Sequence, residues 1–220
     1  MAFMNNKKHI LELESIYTEI KQAVKKRLNE FKSIRKRKDH KEHFIELAFC
    51  ILTPQSSAKM AGKTIDLLLK DNSLFTEPFS TLAETLRFVR FKNNKARYLI
   101  EAREKHLSGK SQLMTMLFDK KVSLLEKRQW LVKHVKGIGY KEASHYLRNI
   151  GLGKKVAILD RHILKNMKFL HLIKEVPKTI SPYTYLQLEE TLAAFSEKID
   201  IPLDYLDFVL WYKEAGEVYK

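Results

Sequence analysis

The stretch Val135-Lys136-Gly137-Ile138-Gly139-Tyr140-Lys141-Glu142-Ala143-Ser144-His145-Tyr146-Leu147 decides how this chain is read. A helical segment runs into Gly137, and a second begins directly after Gly139, with Ala143 and Leu147 on one face. Two glycines around one apolar residue permit a tight turn with positive φ, and Ile138 plugs that turn into a core. The backbone N–H groups of the turn and of the new helix start point outward at a helix N-terminus. That makes an anion site suited to a DNA phosphate and blind to base identity. A glycine corner between two packed helices would look the same by itself.

Two residues add chemistry to the corner. Lys141 stands in the first turn of the new helix, where the positive end of the dipole disfavours a cation, so it is a candidate for chemistry. Asp160 follows in Ile158-Leu159-Asp160-Arg161-His162-Ile163-Leu164. Asp ahead of an apolar helix reads as an N-cap. A carboxylate facing a lysine across a cleft reads as an electrostatic and proton-handling group.

Outward from this motif the chain reads as helices. Residues 9–32 carry Ile10, Leu13, Ile16, Tyr17, Ile20, Val24 and Leu28 on one face. Arg35-Lys36-Arg37-Lys38 then reads as a solvated loop or a phosphate-facing patch. The segment His43 to Pro54 reads as a buried helix containing Cys50 as a small core residue. Further helical patches lie near 60–69, 79–90, 94–106, 111–118, 121–135, 161–171, 183–196 and 203–214. Polar connectors such as Lys70-Asp71-Asn72-Ser73 and Ser108-Gly109-Lys110 separate them. Val156-Ala157-Ile158-Leu159 is too short to separate strand from helix or loop. Phe169, Phe195 and Phe208 fall at helical spacings and read as core. Seven glycines and five prolines in 220 residues agree with long helices. The expectation is an all-α fold of two helical lobes flanking a cleft. One lobe spans 40–154 with the helix–hairpin–helix motif, and the other combines 1–39 with 155–220.

Composition narrows the partner. Forty-one Lys and Arg against 26 Asp and Glu leave a formal charge of +15, which calls for a polyanion, nucleic acid before an acidic membrane. A hydrophobic fraction of 45% is too high for a disordered basic tail. No stretch reads as a signal peptide or a membrane span, so an intracellular protein, cytoplasmic or nucleoid-associated, is expected. One cysteine excludes a disulfide framework, a four-cysteine zinc site and a four-cysteine iron–sulfur cluster within the chain. His145 and His162 lack the neighbours of a metal site, and no metal or other cofactor is expected.

The hairpin with Gly137-Ile138-Gly139, Lys141 and the Leu-Asp-Arg-His context of Asp160 resembles the helix–hairpin–helix DNA glycosylases. Leu52-Thr53-Pro54-Gln55-Ser56 is similar to that superfamily's Leu-Ser-x-Gln segment. Val135-Lys136-Gly137 replaces the usual Leu-Pro-Gly. With Tyr140 to His145 and the ending Trp211-Tyr212-Lys213-Glu214, this departure resembles the archaeal-type 8-oxoguanine DNA glycosylase/AP lyases, compact enzymes without an N-terminal β-rich domain. The resemblance implies base-excision repair of 8-oxoguanine followed by β-elimination at the abasic site. In that scheme Lys141 attacks C1′ and forms a Schiff base, and Asp160 stabilises the positive sugar. Lys136, Gly137, Ile138 and Gly139 grip phosphate, and Gln55 lines or fills the gap near the flipped base. Trp211 and the terminal Lys220 recognise the lesion, with Gly216 turning the tail back. The partner is double-stranded DNA containing oxidised guanine, bound by a monomer, with no membrane involved. The same fold would also serve a glycosylase for another lesion, such as an oxidised pyrimidine, or a non-catalytic DNA-binding module. Gln55 as a plain loop amide remains open at this point. So do Arg90-Phe91-Lys92, as a wedge or as a core phenylalanine beside surface charges, and Trp211 as a core anchor above a frayed terminus.

Overall fold

The computed structural model describes residues 2–107 and 111–220. The connector Ser108-Gly109-Lys110 lies outside the described residues. Twelve α-helices and three short helical turns make up the regular structure of the described residues, which contain no strand. Two compact units can be separated: 1–33 with 147–220, and 34–146.

Helix α1 (Ala2–Arg37) buries Leu13, Ile20, Val24, Leu28 and Phe31, spaced by seven, four, four and three. It does not stop before Arg35-Lys36-Arg37, so the loop expected there is corrected to helix. Cations in a last turn face the negative end of the dipole, and Arg37 Nε donates to Glu42 at 2.7 and 2.8 Å. Lys38 at φ 54° ends the helix.

In the unit formed by 34–146, Asp39 caps α2 (His40–Leu52) through the Glu42 N–H. From His43 onward α2 is buried on most sides, with Phe44, Leu47, Cys50 and Ile51 wholly enclosed. Each large apolar side chain so enclosed contributes about 1.5–3 kcal/mol. The helix stops at Leu52, although Thr53 still keeps helical angles (φ −72°, ψ −30°); Pro54 has no N–H to offer the Cys50 carbonyl, which accepts from Thr53 Oγ1 at 2.9 Å instead. Ser57 caps α3 (Ala58–Lys70), which is followed by the short α4 (Ser73–Thr76) and α5 (Phe79–Thr85). A 3₁₀ turn at Leu86–Phe88 then leads to α6 (Lys92–His106), which packs on α2. Ser111 caps α7 (Gln112–Phe118). Ser123 and Glu126 form a capping box on α8 (Leu124–His134), and α9 (Tyr140–Leu147) follows. Phe91 is not core: it is 53% exposed at φ 58°, because its left-handed backbone directs it off the end of α6.

In the other unit, α10 (Arg161–Phe169), α11 (Pro182–Lys198) and α12 (Leu203–Ala215) enclose Leu164, Met167, Leu192, Phe208 and Val209. Phe195 and Phe208 are core as read from their spacing, but Phe169 is 49% exposed. It sits at the end of α10, against the His9 ring at 4.0 Å and under Lys213 at 4.9 Å. Arg148 is buried in an ion pair with Asp207 and lies over the Phe208 ring. Residues 156–159 belong to no sheet: Val156 is extended, and the Asp160 N–H turns back to the Ile158 carbonyl at 2.8 Å. Side chains of α11 take the place of a neighbouring strand: Tyr185 donates to the Ala157 carbonyl at 2.7 Å and accepts from the Leu159 N–H at 3.2 Å. Glu189 accepts from the Ala157 N–H at 2.7 Å. This bracing delivers the chain to Asp160 at the head of α10.

Candidate functional site

The hairpin lies wholly within the 34–146 unit. Helix α8 ends when Val135 turns extended while its N–H still reaches the Leu131 carbonyl. Gly137 then takes φ 86°, and any Cβ there would overlap the Tyr98 ring, so the position needs glycine twice over. Gly139 does not share this constraint. Its φ is not positive, and a Cβ there would meet only a carboxylate oxygen at 3.5 Å. Ile138 between them is buried, as a plug requires. The Gly139 carbonyl accepts from the Ala143 N–H at 2.9 Å and starts α9. The Gly139 N–H donates to Glu142 Oε2 at 3.1 Å, so this amide of the turn is covered by the helix's own third residue.

Lys141 is about one quarter exposed, with its Nζ 3.6 Å from Glu142 Oε1. Lys136 extends into solvent and meets Glu101 at 3.0 Å. Lys105 first, and Lys136 second, hold the Glu101 carboxyl below the usual range. Gln55 lies exposed in the turn between α2 and α3, at φ 54°.

A pocket of about 250 Å³ opens beside the hairpin, lined by Ile51, Pro54, Phe91, Asn94, Lys95, Tyr98 and Gly137. Lys95 is buried there, and its ammonium donates to the Leu52 and Pro54 carbonyls and to Ser56 Oγ. Burial pushes the Lys95 pKa down to about 8, against the pull of Glu142 and together with the Lys141 charge.

Asp160, in the other unit, is the N-cap of α10. Its Oδ1 accepts from the His162 N–H at 2.8 Å and the Ile163 N–H at 2.9 Å. The cap uses one carboxylate oxygen. Nearby on α10, the His162 ring meets Trp211 of α12 edge-on at 5.4 Å. Glu214 accepts from Asn166 Nδ2 at 3.1 Å and lies 3.6 Å from His162 Nδ1. Trp211 is half-buried, and its indole N–H is enclosed without a protein partner. Gly216 takes φ 70°, its N–H bonded to the Tyr212 carbonyl, and ends α12. The chain leaves the helix there, and residues 217–220 are half-buried.

Comparison with known proteins decides what this arrangement belongs to. Residues 24–201 match a family profile described as 8-oxoguanine DNA glycosylase. The chain belongs to this family. The 8-oxoguanine DNA glycosylase/AP lyase of Fusobacterium nucleatum is 46% identical over 99% of this chain and its own full length. That of Methanocaldococcus jannaschii is 40% identical over 97% of this chain and 98% of its own. The crystal structure of the Thermotoga maritima 8-oxoguanine DNA glycosylase superposes with a TM-score of 0.88 at 35% identity, covering 98% of this chain and all of that one. The M. jannaschii glycosylase/lyase in complex with a 15mer DNA containing 8-oxoguanine gives 0.87 at 36% identity, covering 97% and 100%. Three features of this 8-oxoguanine DNA glycosylase family member escape a reading of its sequence: the cover of Glu142 over Gly139, the ring of Tyr98 against Gly137, and buried Lys95. Glu142 alone leaves a trace, as an acidic residue in the third position of a helix.

Proposed function

We propose that this protein excises 8-oxoguanine from duplex DNA and then nicks the strand at the abasic site. Lys141 is the nucleophile. As the neutral amine it attacks C1′ of the deoxyribose, the glycosidic bond breaks, and the electron pair leaves with the base, which takes up a proton. Ring opening gives a Schiff base between Nζ and C1′. Loss of a C2′ proton then expels the 3′ phosphate by β-elimination. Asp160, whose cap bonds occupy only Oδ1, stabilises the positive charge developing on the sugar. The hairpin turn of Gly137, Ile138 and Gly139, together with Lys136, holds backbone phosphate, the Gly139 N–H exchanging its Glu142 partner for the phosphate, and Gln55 stands at the gap left by the flipped base. Trp211 and the tail ending at Lys220 receive the lesion.

The observation that carries this reading is a lysine in the first turn of the helix that follows the glycine hairpin, in a chain matched to the family over residues 24–201. The protein acts as a monomer within the cell. No helix among the described residues is long and apolar enough to cross a membrane. Borohydride trapping on an 8-oxoguanine duplex tests the chemistry. Wild type becomes covalently linked to the strand, and Lys141→Gln does not while still binding the duplex. Full trapping by Lys141→Gln would remove Lys141 from the role.

A further inference from the structure

The turn displaying Gln55 and the turn displaying Phe91 share one anchor. Lys95 is only 3% exposed, and an ammonium has three protons to donate. All three find oxygens: Leu52 O at 2.7 Å, Pro54 O at 2.8 Å and Ser56 Oγ at 3.0 Å. Two of these acceptors bracket the C-terminal end of α2, where helix carbonyls lack partners and a cation is favoured. The third, Ser56 Oγ, also accepts from the Arg90 N–H at 3.0 Å. One connected set of bonds therefore runs from the 52–56 turn through Lys95 and Ser56 to the 89–91 turn.

Each turn carries a non-glycine residue in the left-handed region, Gln55 at φ 54° and Phe91 at φ 58°. Such residues persist only where the surroundings over-determine them. Both are exposed, and Phe91 shows more than half of its surface to water. A phenylalanine held outward gains by entering a base stack. It gains most when its turn needs no ordering at the moment of entry.

We propose that Lys95 is a positioning residue that holds Gln55 and Phe91 in the posture in which they enter the duplex as the lesion leaves it. This rests on the glycosylase reading above. Lysine suits the place because no neutral side chain of its length presents three donors to three oxygens. Arg90, whose guanidinium lies 5.7 Å from the Phe91 ring centroid, moves with the same turn.

The test uses the full chain with Lys95→Met, which keeps the stem and removes every donor, and with Ser56→Ala, which cuts the link to Arg90. Three substrates are compared: 8-oxoguanine paired in a duplex, 8-oxoguanine already unpaired in a bulge, and a duplex with a tetrahydrofuran abasic analogue beside 2-aminopurine. Lys95→Met should lose about tenfold to hundredfold in single-turnover excision from the paired duplex. It should excise from the bulge at close to the wild-type rate, and it should fail to raise 2-aminopurine fluorescence on the abasic duplex. Ser56→Ala should fall between the two on each readout. Equal losses on paired and bulged lesions, or wild-type fluorescence from Lys95→Met, would overturn the proposal. If Lys95→Met does not fold, Ser56→Ala decides by the same paired-to-bulged ratio. A wild-type protein that raises fluorescence but excises no 8-oxoguanine would refute the glycosylase reading and leave the positioning role measurable.

Discussion

Gly137→Ala is the most exacting test of the hairpin, because its cost has two separable sources. A φ of 86° lies in the region that costs an L-residue about 1–2 kcal/mol. The added methyl also overlaps the Tyr98 ring, and overpacking of this kind costs about 1–3 kcal/mol. Together the substitution should destabilise the protein by about 2–5 kcal/mol. Tyr98→Ala alone removes a half-buried ring and should cost about 1.5–3 kcal/mol, below the range for fully buried aromatics. In the double variant the overlap vanishes and the backbone strain stays. The two costs should therefore fail to add, with a coupling of about 1–3 kcal/mol in the favourable direction. Urea unfolding of wild type, both single variants and the double variant measures all four corners. A cycle additive within about 0.5 kcal/mol would refute the steric part, and a Gly137→Ala protein as stable as wild type would refute both parts.

Asp160→Asn should keep the cap and the melting temperature while slowing base release severely, because asparagine caps about as well as aspartate but supplies no full negative charge; a large loss of stability at normal rate would point to capping alone. DNA affinity should fall on a log–log salt plot with a slope of about −0.9 per phosphate neutralised, and Lys136→Ala should flatten it by about one phosphate; an unchanged slope would remove Lys136 from the phosphate grip. Burial pushes the pKa values of His43 and His106 down to about 4, so unfolded protein binds protons first. Stability is then full above pH 6.5 and falls as pH drops towards 4, by at most about 1.4 kcal/mol per pH unit for each histidine; His43→Gln should flatten the acid limb seen in urea midpoints against pH. Deleting Lys220 should reduce the preference for 8-oxoguanine over guanine more than it reduces abasic-site cleavage, measured on matched duplexes; equal losses would deny the terminal residue a part in recognition.

How far the sequence carried depended on the range of each interaction. Helix faces such as Leu13, Ile20, Val24 and Leu28 were legible because burial repeats with the helical period. Ile138 was legible as a plug because its two glycine neighbours leave it nothing else to do. Asp160 was legible as a cap because capping is a bond to the next two or three residues. Phe91 stayed open between wedge and core, and Phe169 was misread as core, because the pattern gives spacing, not the direction taken at a helix end. One is turned out by its own φ, and the other finds His9 and Lys213 far along the chain. Lys95 was invisible for the same reason. Nothing in the helical pattern near 94–106 marks Lys95, and its oxygen partners lie about forty residues earlier, at Leu52, Pro54 and Ser56.

For Lys141, the proposed nucleophile, electrostatic cost is a weaker argument than position. A lysine in a first turn meets the positive end of the dipole, and a residue that opposes its helix invites a functional explanation. Here the next residue answers the conflict. Glu142 places one carboxylate oxygen 3.6 Å from Lys141 Nζ and the other 3.1 Å from the Gly139 N–H. One negative charge thus offsets both the lysine and an open amide at the helix start, so local strain does not single Lys141 out. What does so is its register: the second residue of the helix that follows the hairpin, in a chain matched to the glycosylase family on both sides of it. Asp160 makes the complementary point. Capping and catalysis are often weighed as rival explanations of an aspartate before a helix. A carboxylate has two oxygens, and the cap here takes both of its N–H bonds on Oδ1. In the proposed reaction the cap fixes the angle of the group, and a fixed charge stabilises a developing cation better than a mobile one, because no reorganisation is needed when the charge appears.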